Sequence, residues 1–335
     1  MDFSRKTEVY GETTLFLERS RGRQSKGTRD KASRHTWGIE MKKNIETFIG
    51  YLEQEKHASK NTILSYQRDL LKLAEYLEEA GITEIGKVTK AALNSYLHLL
   101  EQKGKAAATV SRSLASMKAY FGWMYRENMI RRDPAESIHA PKIEKKAPMI
   151  LTVDEVTRLL EQPSGTTPKE IRDKAMLELL YATGIRVSEL ISLKLSDVNM
   201  ASGFITCRDE HKERRVPFGY TAKEALARYL DSAREAFLKG ARSEILFTNC
   251  SGNAMSRQGF WKLIKYYGKR AGIDADITPH TLRHSFAAHL LINGADMHAV
   301  QAMMGHSELA STQMYTAFVT ESAVKEAYQE AHPRR

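Results

Sequence analysis

The sequence predicts a mainly α-helical protein with a small antiparallel β-sheet. Apolar residues recur every three or four positions along most of the chain after residue 40, which is the spacing of amphipathic helices. Two short runs rich in β-forming residues, GFITCR and RRVPF, lie on either side of a polar stretch and predict a β-hairpin. A proline-containing segment between the helical regions indicates two domains rather than one.

Residues 1–40 are predicted to form a flexible basic arm. They have no sustained apolar period, and they contain the stretch ERSRGRQSKGTRDKASRH. Met41 opens the helical stretch MKKNIETFIGYLEQE, so we expect the first domain to occupy residues 41–130.

Helices of the first domain are predicted from their apolar stripes. The stretch NTILSYQRDLLKLAEYLEEAG ends at Gly81, a residue type that commonly terminates helices. Thr89 is a candidate cap for the next helix. The residues expected to face inward are Ile63, Tyr66, Leu70, Leu73, Leu77, Leu93, Tyr96, Leu100, Leu114, Met117, Phe121 and Met124.

Residues 131–149 are predicted to be an extended, basic linker, because Pro134, Pro141 and Pro148 oppose both helix and central strand. The second domain then spans residues 150–335.

In the second domain, capping boxes at residues 152–155 (TVDE) and 221–224 (TAKE) predict the starts of two helices. A helix through IRDKAMLELLYATG should end at Gly184, and another should begin near Val187. With the β-hairpin between them and helices to the end, this domain is mostly α with a small antiparallel sheet.

Composition narrows the possible partners. The chain has 51 Lys and Arg against 41 Asp and Glu, a formal net charge of +10, which favours an anionic partner and above all nucleic acid. The alternative is a basic protein that binds nothing acidic. Cys207 and Cys250 are too few for a disulfide framework or a cysteine-based zinc site, and they fit a reducing cytoplasm. No stretch approaches the ~20 apolar residues that span a bilayer, so no membrane association is expected.

Candidate chemical groups lie in widely separated stretches. ATGIRVSEL places Arg186 at a helix junction, where an arginine by itself is usually a surface or ion-pair residue. In TPHTLRHSF, Pro279 suits a first helical turn, and His280 and Arg283 share one face near the positive end of the helix. A phosphate would be held well there.

His280 and His284 also have the i,i+4 spacing of zinc ligands. Thr281 stands where a zinc-protease motif needs Glu, and no third ligand has suggestive spacing. We therefore expect no metal ion and no other cofactor.

The stretch MMGHSELASTQMYT contains His306 and Tyr315. A phenol with a pKa of ~10 is only about one part in a thousand ionised at pH 7, so a nucleophilic tyrosine needs a base and a cationic field. Otherwise Tyr315 is a packing or surface residue, like most of the 14 tyrosines.

Together these residues resemble the Arg…His-x-x-Arg…His…Tyr signature of the tyrosine recombinases, the phage integrase family, and are most similar to its Xer-type members. The resemblance extends over residues 41–335 and includes SKNTILSYQRDL. It implies a helical SAM-like core-binding domain followed by an α+β catalytic domain.

The resemblance also implies site-specific DNA strand exchange through a Holliday junction, without ATP or metal. Arg186 and Arg283 would bind the scissile phosphate, and Tyr315 would attack it to form a 3′-phosphotyrosyl bond. His280 would transfer a proton with the tyrosine, and His306 would hydrogen-bond the phosphate or the phenol. Whether the role is chromosome dimer resolution or movement of a mobile element is left open.

The β-hairpin departs from the family pattern G-K-G-x-K-E-R, whose first lysine protonates the leaving oxygen. Here the stretch reads C-R-D-E-H-K-E-R-R. Lys212 matches the second lysine and is the expected substitute. Arg208 is the other candidate, although its pKa above 12 makes arginine a poor proton donor.

DNA contacts are expected from the linker and from RQGFWKLIKYYGKRAG, where cations interleave with aromatics at helical spacing, although such a face can also be merely solvated. The candidates are Arg131, Arg132, Lys142, Lys262, Lys265, Lys269 and Arg270. The resemblance implies double-stranded DNA with a specific recombination site as partner. It also implies a homo- or hetero-tetramer on two sites, and an accessory recombinase or regulator.

Two other functions stay open at the level of sequence. A type IB topoisomerase uses similar chemistry, but the separate helical domain and the C-terminal tail argue against it. A DNA-binding regulator without catalysis is supported by the altered hairpin and opposed by the complete Arg, His, Arg, His and Tyr set.

Overall fold

The computed structural model describes residues 29–140, 147–163, 165, 167–208 and 213–319, with side chains from residue 40 onward. The chain divides into two compact units between Lys145 and Lys146. As the sequence predicts, it is mainly α-helical with a small antiparallel sheet.

The regular elements described in the first unit are all helices. They are α1 (Arg29–Gln54), α2 (Lys60–Glu79), a 3₁₀ turn (Ile85–Lys87), α3 (Lys90–Gln102) and α4 (Ala107–Arg126). Helix α1 begins well before Met41, so the end of the segment expected to be a flexible arm is helical. The predicted cap is confirmed, because the Thr89 hydroxyl accepts a hydrogen bond from the backbone N–H of Ala92.

The core of the first unit follows the predicted stripes. The predicted residues that are buried are Leu70, Leu73, Leu77, Leu93, Tyr96, Leu100, Leu114, Met117, Phe121 and Met124. Ile63 and Tyr66 are half-buried at its edge. The buried carboxylate of Asp69 accepts hydrogen bonds from Arg112 Nε and Nη2 at 2.8 and 3.0 Å, which offsets the cost of removing it from water.

The start of the predicted linker is folded against this core. Ala135 and Ile138 are buried there, and Asp133 Oδ1 accepts a hydrogen bond from the Ala135 N–H at 2.8 Å. This part of the segment therefore forms turns rather than an extended chain. Arg131 and Arg132 are exposed on it.

The second unit contains helices around a three-stranded sheet of order β1-β2-β3. Its helices are α5 (Val153–Glu161), α6 (Pro168–Thr183), α7 (Val187–Ser192), α8 (Tyr220–Ser232), α9 (Arg234–Leu238), α10 (Arg257–Arg270), α11 (Pro279–Ile292), α12 (Met297–Met304) and α13 (Ala310–Gln313). The strands are β1 (Val198–Asn199), β2 (Phe204–Arg208) and β3 (Glu213–Pro217), and 3₁₀ turns lie at Leu195–Asp197 and Thr316–Phe318.

Most local signals of this unit are confirmed. Thr152 and Glu155 form the predicted capping box, and α6 ends at Gly184. Strands β2 and β3 form the predicted antiparallel hairpin. The second capping box is wrong: the N-cap of α8 is Gly219, two residues before Thr221, so Thr221 already lies in the first turn.

Two apolar clusters position the site. The larger packs α5, α6, α8 and α10 with the inner face of the sheet. The smaller joins α11 and α12 to the segment after α13, through Phe286, Ala287, Ala288, Leu291, Val300, Met304 and Tyr315. Within the described ranges, no helix has the length and apolar character that a membrane span requires.

Candidate active site

Arginine side chains converge on the C-terminal end of α12. The bonds run from Arg214 Nε to Met303 O at 2.9 Å, from Arg283 Nη2 to Met304 O at 2.5 Å, and from Arg186 Nη2 to Gly305 O at 2.8 Å. The last carbonyls of a helix have no acceptor role inside the helix and lie at the negative end of its dipole, so they suit cationic donors. These elements are far apart in sequence and meet at this helix end.

The junction between α6 and α7 supplies a further acceptor. Gly184 has φ +57°, and a Cβ there would lie 2.1 Å from Phe286 Cδ1, so the position requires glycine. Its carbonyl accepts a hydrogen bond from Arg283 Nη1. Arg186 follows at the N-cap of α7.

Glu189 links two of the arginines. Its carboxylate accepts hydrogen bonds from the Arg186 backbone N–H at 2.7 Å, and from Arg214 Nη1 and Nη2 at 2.7 and 2.8 Å. Burial acts to raise the pKa of Glu189, but the hydrogen bonds from Arg214 and the Arg186 backbone prevail and place it below its ordinary value. Oε1 also accepts a hydrogen bond from Arg186 Nη1 at 3.3 Å, so an ionised and largely enclosed Glu189 orients both guanidinium groups.

Arg283 is the least exposed of the three clustered arginines. It is 5% exposed, and burial together with the neighbouring Arg186 lowers its pKa to about 10. It stays protonated at neutral pH, so the site is strongly cationic and suited to an anion.

Tyr315 is enclosed next to this charge. Its side chain is 1% exposed, and its hydroxyl lies 2.6 Å from His284 Nδ1. Burial raises the pKa of Tyr315, and the positive charge of Arg283 offsets part of that rise. In this conformation the phenol is protonated at neutral pH.

His306 connects Tyr315 to the end of α12. Its Nδ1 lies 3.0 Å from Thr312 Oγ1, and the Thr312 carbonyl accepts a hydrogen bond from the Tyr315 N–H at 3.1 Å. Burial, Arg283 and Arg186 lower the pKa of His306 to about 4. The ring is therefore neutral at physiological pH.

His280 lies at the open edge of the site. It occupies the first turn of α11 after Pro279 and is exposed, and its ring centroid is 6.3 Å from that of His284. Burial of part of the ring, Arg283 and Arg257 lower its pKa. Among the described side chains, no group of three or more His, Cys, Asp and Glu is placed to hold a metal ion.

The two candidate acids of the β-hairpin are Lys212 and Arg208. Lys212 lies outside the described residues, as does Lys142 of the linker. Arg208 is at the end of β2, where its guanidinium pairs with Asp197 and, at 3.1 Å, with Glu213. The positive charge of Arg208 is thus paired with two carboxylates.

The predicted DNA-contacting helix is α10. Lys262 and Lys269 are exposed, whereas Lys265 pairs with Asp276 and Arg270 lies 3.9 Å from Glu170. The aromatics divide between the faces: Phe260 and Tyr267 are buried, and Trp261 and Tyr266 are 47% and 53% exposed. Trp261 and Tyr266 face outward beside their buried neighbours because adjacent residues on a helix point about 100° apart.

The sequence missed His284 and Arg214 as site residues. His284 was considered as a zinc ligand, and its i,i+4 relation to His280 did place it on the same face of α11. Arg214 follows the K-E dipeptide of the hairpin and is paired across the sheet with Cys207. No local pattern distinguishes it from the neighbouring exposed arginines.

A mostly helical domain that brings a buried tyrosine, neutral histidines and clustered arginines together is suited to binding a phosphate next to a phenol. Residues 149–321 match the model of the phage integrase family, and residues 45–128 match that of the phage integrase N-terminal SAM-like domain. The chain belongs to the phage integrase family. It is a site-specific tyrosine recombinase of the Xer type, a DNA breaking and rejoining enzyme that needs neither ATP nor metal.

Similar proteins cover nearly the whole chain. It is 45% identical to the tyrosine recombinase XerD of Oceanobacillus iheyensis over 87% of this chain and 98% of that protein. It is 41% identical to XerD of Listeria monocytogenes over 87% and 98% of the two chains. Among solved structures, the XerH recombinase bound to palindromic difH substrate has a TM-score of 0.68 at 22% identity, over 85% of this chain and 84% of that one. The Tn1549 transposon integrase in complex with a circular intermediate DNA has a TM-score of 0.69 at 20% identity, over 86% and 99%. These two structures share the fold.

Proposed function

We propose that Tyr315 is the nucleophile that cleaves DNA and that Arg186, His280, Arg283 and His306 form the rest of the active site. The observation that carries the proposal is the packing around the end of α12. The positive charge of Arg283 acts on the Tyr315 phenol, and Arg283 and Arg186 both act on His306. An anion bound by these arginines would lie next to the phenol.

In the first step the Tyr315 oxygen forms a bond to phosphorus while the bond from phosphorus to the 5′-oxygen breaks. Arg186 and Arg283 stabilise the charge on the nonbridging oxygens. His280 acts in the transfer of the phenol proton, and His306 donates a hydrogen bond to the phosphate. Attack by a 5′-hydroxyl on the phosphotyrosyl bond reverses the step, and exchange between two duplexes produces a Holliday junction.

Lys212 is proposed as the acid that protonates the leaving 5′-oxygen, because an ammonium on the hairpin can give up its proton and the Arg208 guanidinium is paired with carboxylates. Lys212→Ala should slow cleavage of an ordinary phosphodiester. A 5′-phosphorothiolate, whose sulfur leaves without a proton, should restore the rate. Equal slowing on both substrates would remove Lys212 from this role, and Arg208→Ala is the matched control.

For DNA binding we propose residues 41–130 as a core-binding domain, 131–149 as a connecting segment, 150–335 as the catalytic domain and 1–40 as a basic arm. The net charge of +10 and the exposed cations of α10 support this assignment. The proposed DNA contacts are Arg131, Arg132, Lys142, Lys262, Lys265, Lys269 and Arg270. By analogy with the DNA-bound structures of similar fold, the partner is a duplex with a specific site.

The proposed assembly is a homo- or hetero-tetramer on two such sites, acting at the nucleoid in the cytoplasm, with an accessory recombinase or regulator as a further partner. Whether its site lies in the chromosome or at the ends of a mobile element follows from the DNA it cleaves. Sequencing genomic fragments that become covalently attached to the protein identifies that DNA.

The decisive test uses a duplex from those fragments with a nick near the cleavage site, which traps the covalent adduct. The adduct should form with the wild-type chain and with Tyr220→Phe, whose tyrosine is 78% exposed, and it should be absent from Tyr315→Phe. An adduct that persists in Tyr315→Phe would eliminate Tyr315 as nucleophile. Absence of an adduct on any genomic DNA would favour the regulator, and relaxation of plasmids lacking the site would favour a topoisomerase.

A further inference from the structure

The hydroxyl of Tyr315 makes its hydrogen bond to His284, not to His280. The Tyr315 oxygen and His284 Nδ1 are 2.6 Å apart, and the ring centroids are 5.7 Å apart. His280 is one turn closer to the start of α11 and is exposed. Of the two histidines, His284 is therefore the one in contact with the nucleophile.

The direction of this bond follows from burial. Burial, His280 and Arg283 lower the pKa of His284 to about 4, so its ring is neutral at physiological pH. Tyr315 makes no other side-chain hydrogen bond to a described residue, and an enclosed phenol proton without an acceptor is costly. The phenol therefore donates to an unprotonated Nδ1.

The part of α11 that carries His284 is held in place by hydrogen bonds. The next residue, Ser285, donates to the Thr281 carbonyl and accepts a hydrogen bond from the Leu151 N–H, both at 2.8 Å. One turn further on, His289 Nε2 donates to the Leu151 carbonyl at 2.9 Å, and its Nδ1 lies 2.9 Å from the Tyr181 hydroxyl. Helix α11 is thus tied to Leu151 and to α6 in the turns that follow His284.

The backbone of Tyr315 has less support. It follows α13, a helix of only four residues, and continues into a three-residue 3₁₀ turn. Such short elements contribute little stability of their own. The orientation of the phenol therefore depends on its side-chain contacts.

We propose that His284 is the positioning residue for the nucleophile: its Nδ1 accepts the hydrogen bond of the Tyr315 hydroxyl and holds the phenol oxygen beside Arg283. This rests on the proposed role of Tyr315. Without the bond, the phenol samples other orientations, and fewer molecules have the oxygen aligned when the phosphate is bound.

Substitutions at position 284 test the hydrogen bond to Tyr315 separately from the shape of the histidine ring. Asparagine at position 284 places an oxygen close to where Nδ1 lies, glutamine extends its amide toward the position of Nε2, and phenylalanine keeps a ring without an acceptor. The controls are His298→Phe, an exposed position on α12, and His289→Phe, which removes the α11 hydrogen bonds to Tyr181 and Leu151.

The first measurement is single-turnover cleavage of the nicked duplex at saturating DNA. His284→Phe should lower the rate constant about tenfold, the value of one hydrogen bond, with unchanged DNA affinity. His284→Asn should restore most of the rate and His284→Gln less. Rates in His284→Phe that equal or exceed that of wild type overturn the proposal, and so does a loss matched by His289→Phe at equal thermal stability.

The second measurement needs no DNA. In protein labelled with ¹³C at tyrosine Cζ, the resonance that disappears in Tyr315→Phe reports the hydrogen bond. It should shift in His284→Phe, shift less in His284→Asn and stay in place in His298→Phe. An unmoved resonance in His284→Phe would refute the contact whatever the outcome of cleavage. A wild-type chain that forms no adduct would instead refute the nucleophile role, while the resonance still tests the contact.

Discussion

Glu189 accepts hydrogen bonds from Arg214 through both carboxylate oxygens, at 2.7 and 2.8 Å. The same carboxylate receives the Arg186 backbone N–H at 2.7 Å. A planar, two-bond arrangement orients a guanidinium more strictly than a single bond does. Glu189 thereby sets the positions of two cations that belong to different elements of the fold.

Replacing Glu189 by Gln should reduce both stability and cleavage. The amide cannot accept with both of its end atoms, and it removes the negative charge that the largely enclosed Arg214 meets at 2.7 Å, so we expect a loss of about 3 kcal/mol in the free energy of unfolding. Urea denaturation measures it. Glu213→Gln removes a carboxylate that is 58% exposed and paired with Arg208, and should cost less than about 0.5 kcal/mol. Equal losses in both variants would contradict the special position of Glu189.

Gly184 allows a comparison of backbone strain with steric overlap. Both Gly184 and Gly272 have positive φ, +57° and +64°, but a Cβ at Gly272 meets nothing within 4 Å. Gly272→Ala should therefore cost about 1 kcal/mol from strain alone. Gly184→Ala must also displace Phe286, so its cost should reach about 3 kcal/mol or more, with slower cleavage because the Gly184 carbonyl holds Arg283. A loss no greater than that of Gly272→Ala would show that Phe286 moves freely.

Stability should fall as the pH decreases from 6.5 toward 4. His284 and His306 have folded-state pKa values of about 4, below the ordinary 6.5, because of burial and the facing Arg283, His280, and Arg186. Between those values the unfolded chain binds protons that the folded chain does not, so acidification favours unfolding. Urea midpoints across this range measure the effect.

The dependence of stability on pH should be weaker when His284 or His306 is replaced. His306→Asn removes a titrating group of this kind and should give a shallower fall over the same range. Glu189 does not account for the fall, because its pKa is below the ordinary carboxylate value and its contribution is lost at lower pH. An unchanged slope in His306→Asn would mean that the pKa of His306 is the same in the folded and the unfolded chain.

The cations of α10 should contribute unequally to DNA binding. Lys262→Gln and Lys269→Gln remove exposed ammonium groups, and each should lower the slope of log affinity against log salt by about 1 if it contacts a phosphate. Lys265→Gln should change the slope less, because Lys265 is already paired with Asp276. Fluorescence anisotropy at a series of salt concentrations measures the slopes. Equal slopes in all variants and wild type would place this helix away from DNA.

Local features of the site were predictable because short-range rules govern them. Gly184 ends a helix through its positive φ, and Pro279 starts one. The i,i+3 spacing of His280 and Arg283 also follows from helix geometry, but their environments differ: Arg283 is buried and His280 is exposed. Burial depends on what packs against the helix, which periodicity does not report.

The sequence by itself determined which residue types are available, in what order, and on which helix ends and faces they lie. Only the tertiary structure decided that Tyr315 is enclosed, that His284 is its hydrogen-bond partner, and that Arg214 joins Arg186 and Arg283 at the end of α12. The physical reason is separation along the chain. Arg186 and Gly305 are 119 positions apart, so their meeting depends on how whole helices pack rather than on the backbone rules that link near neighbours.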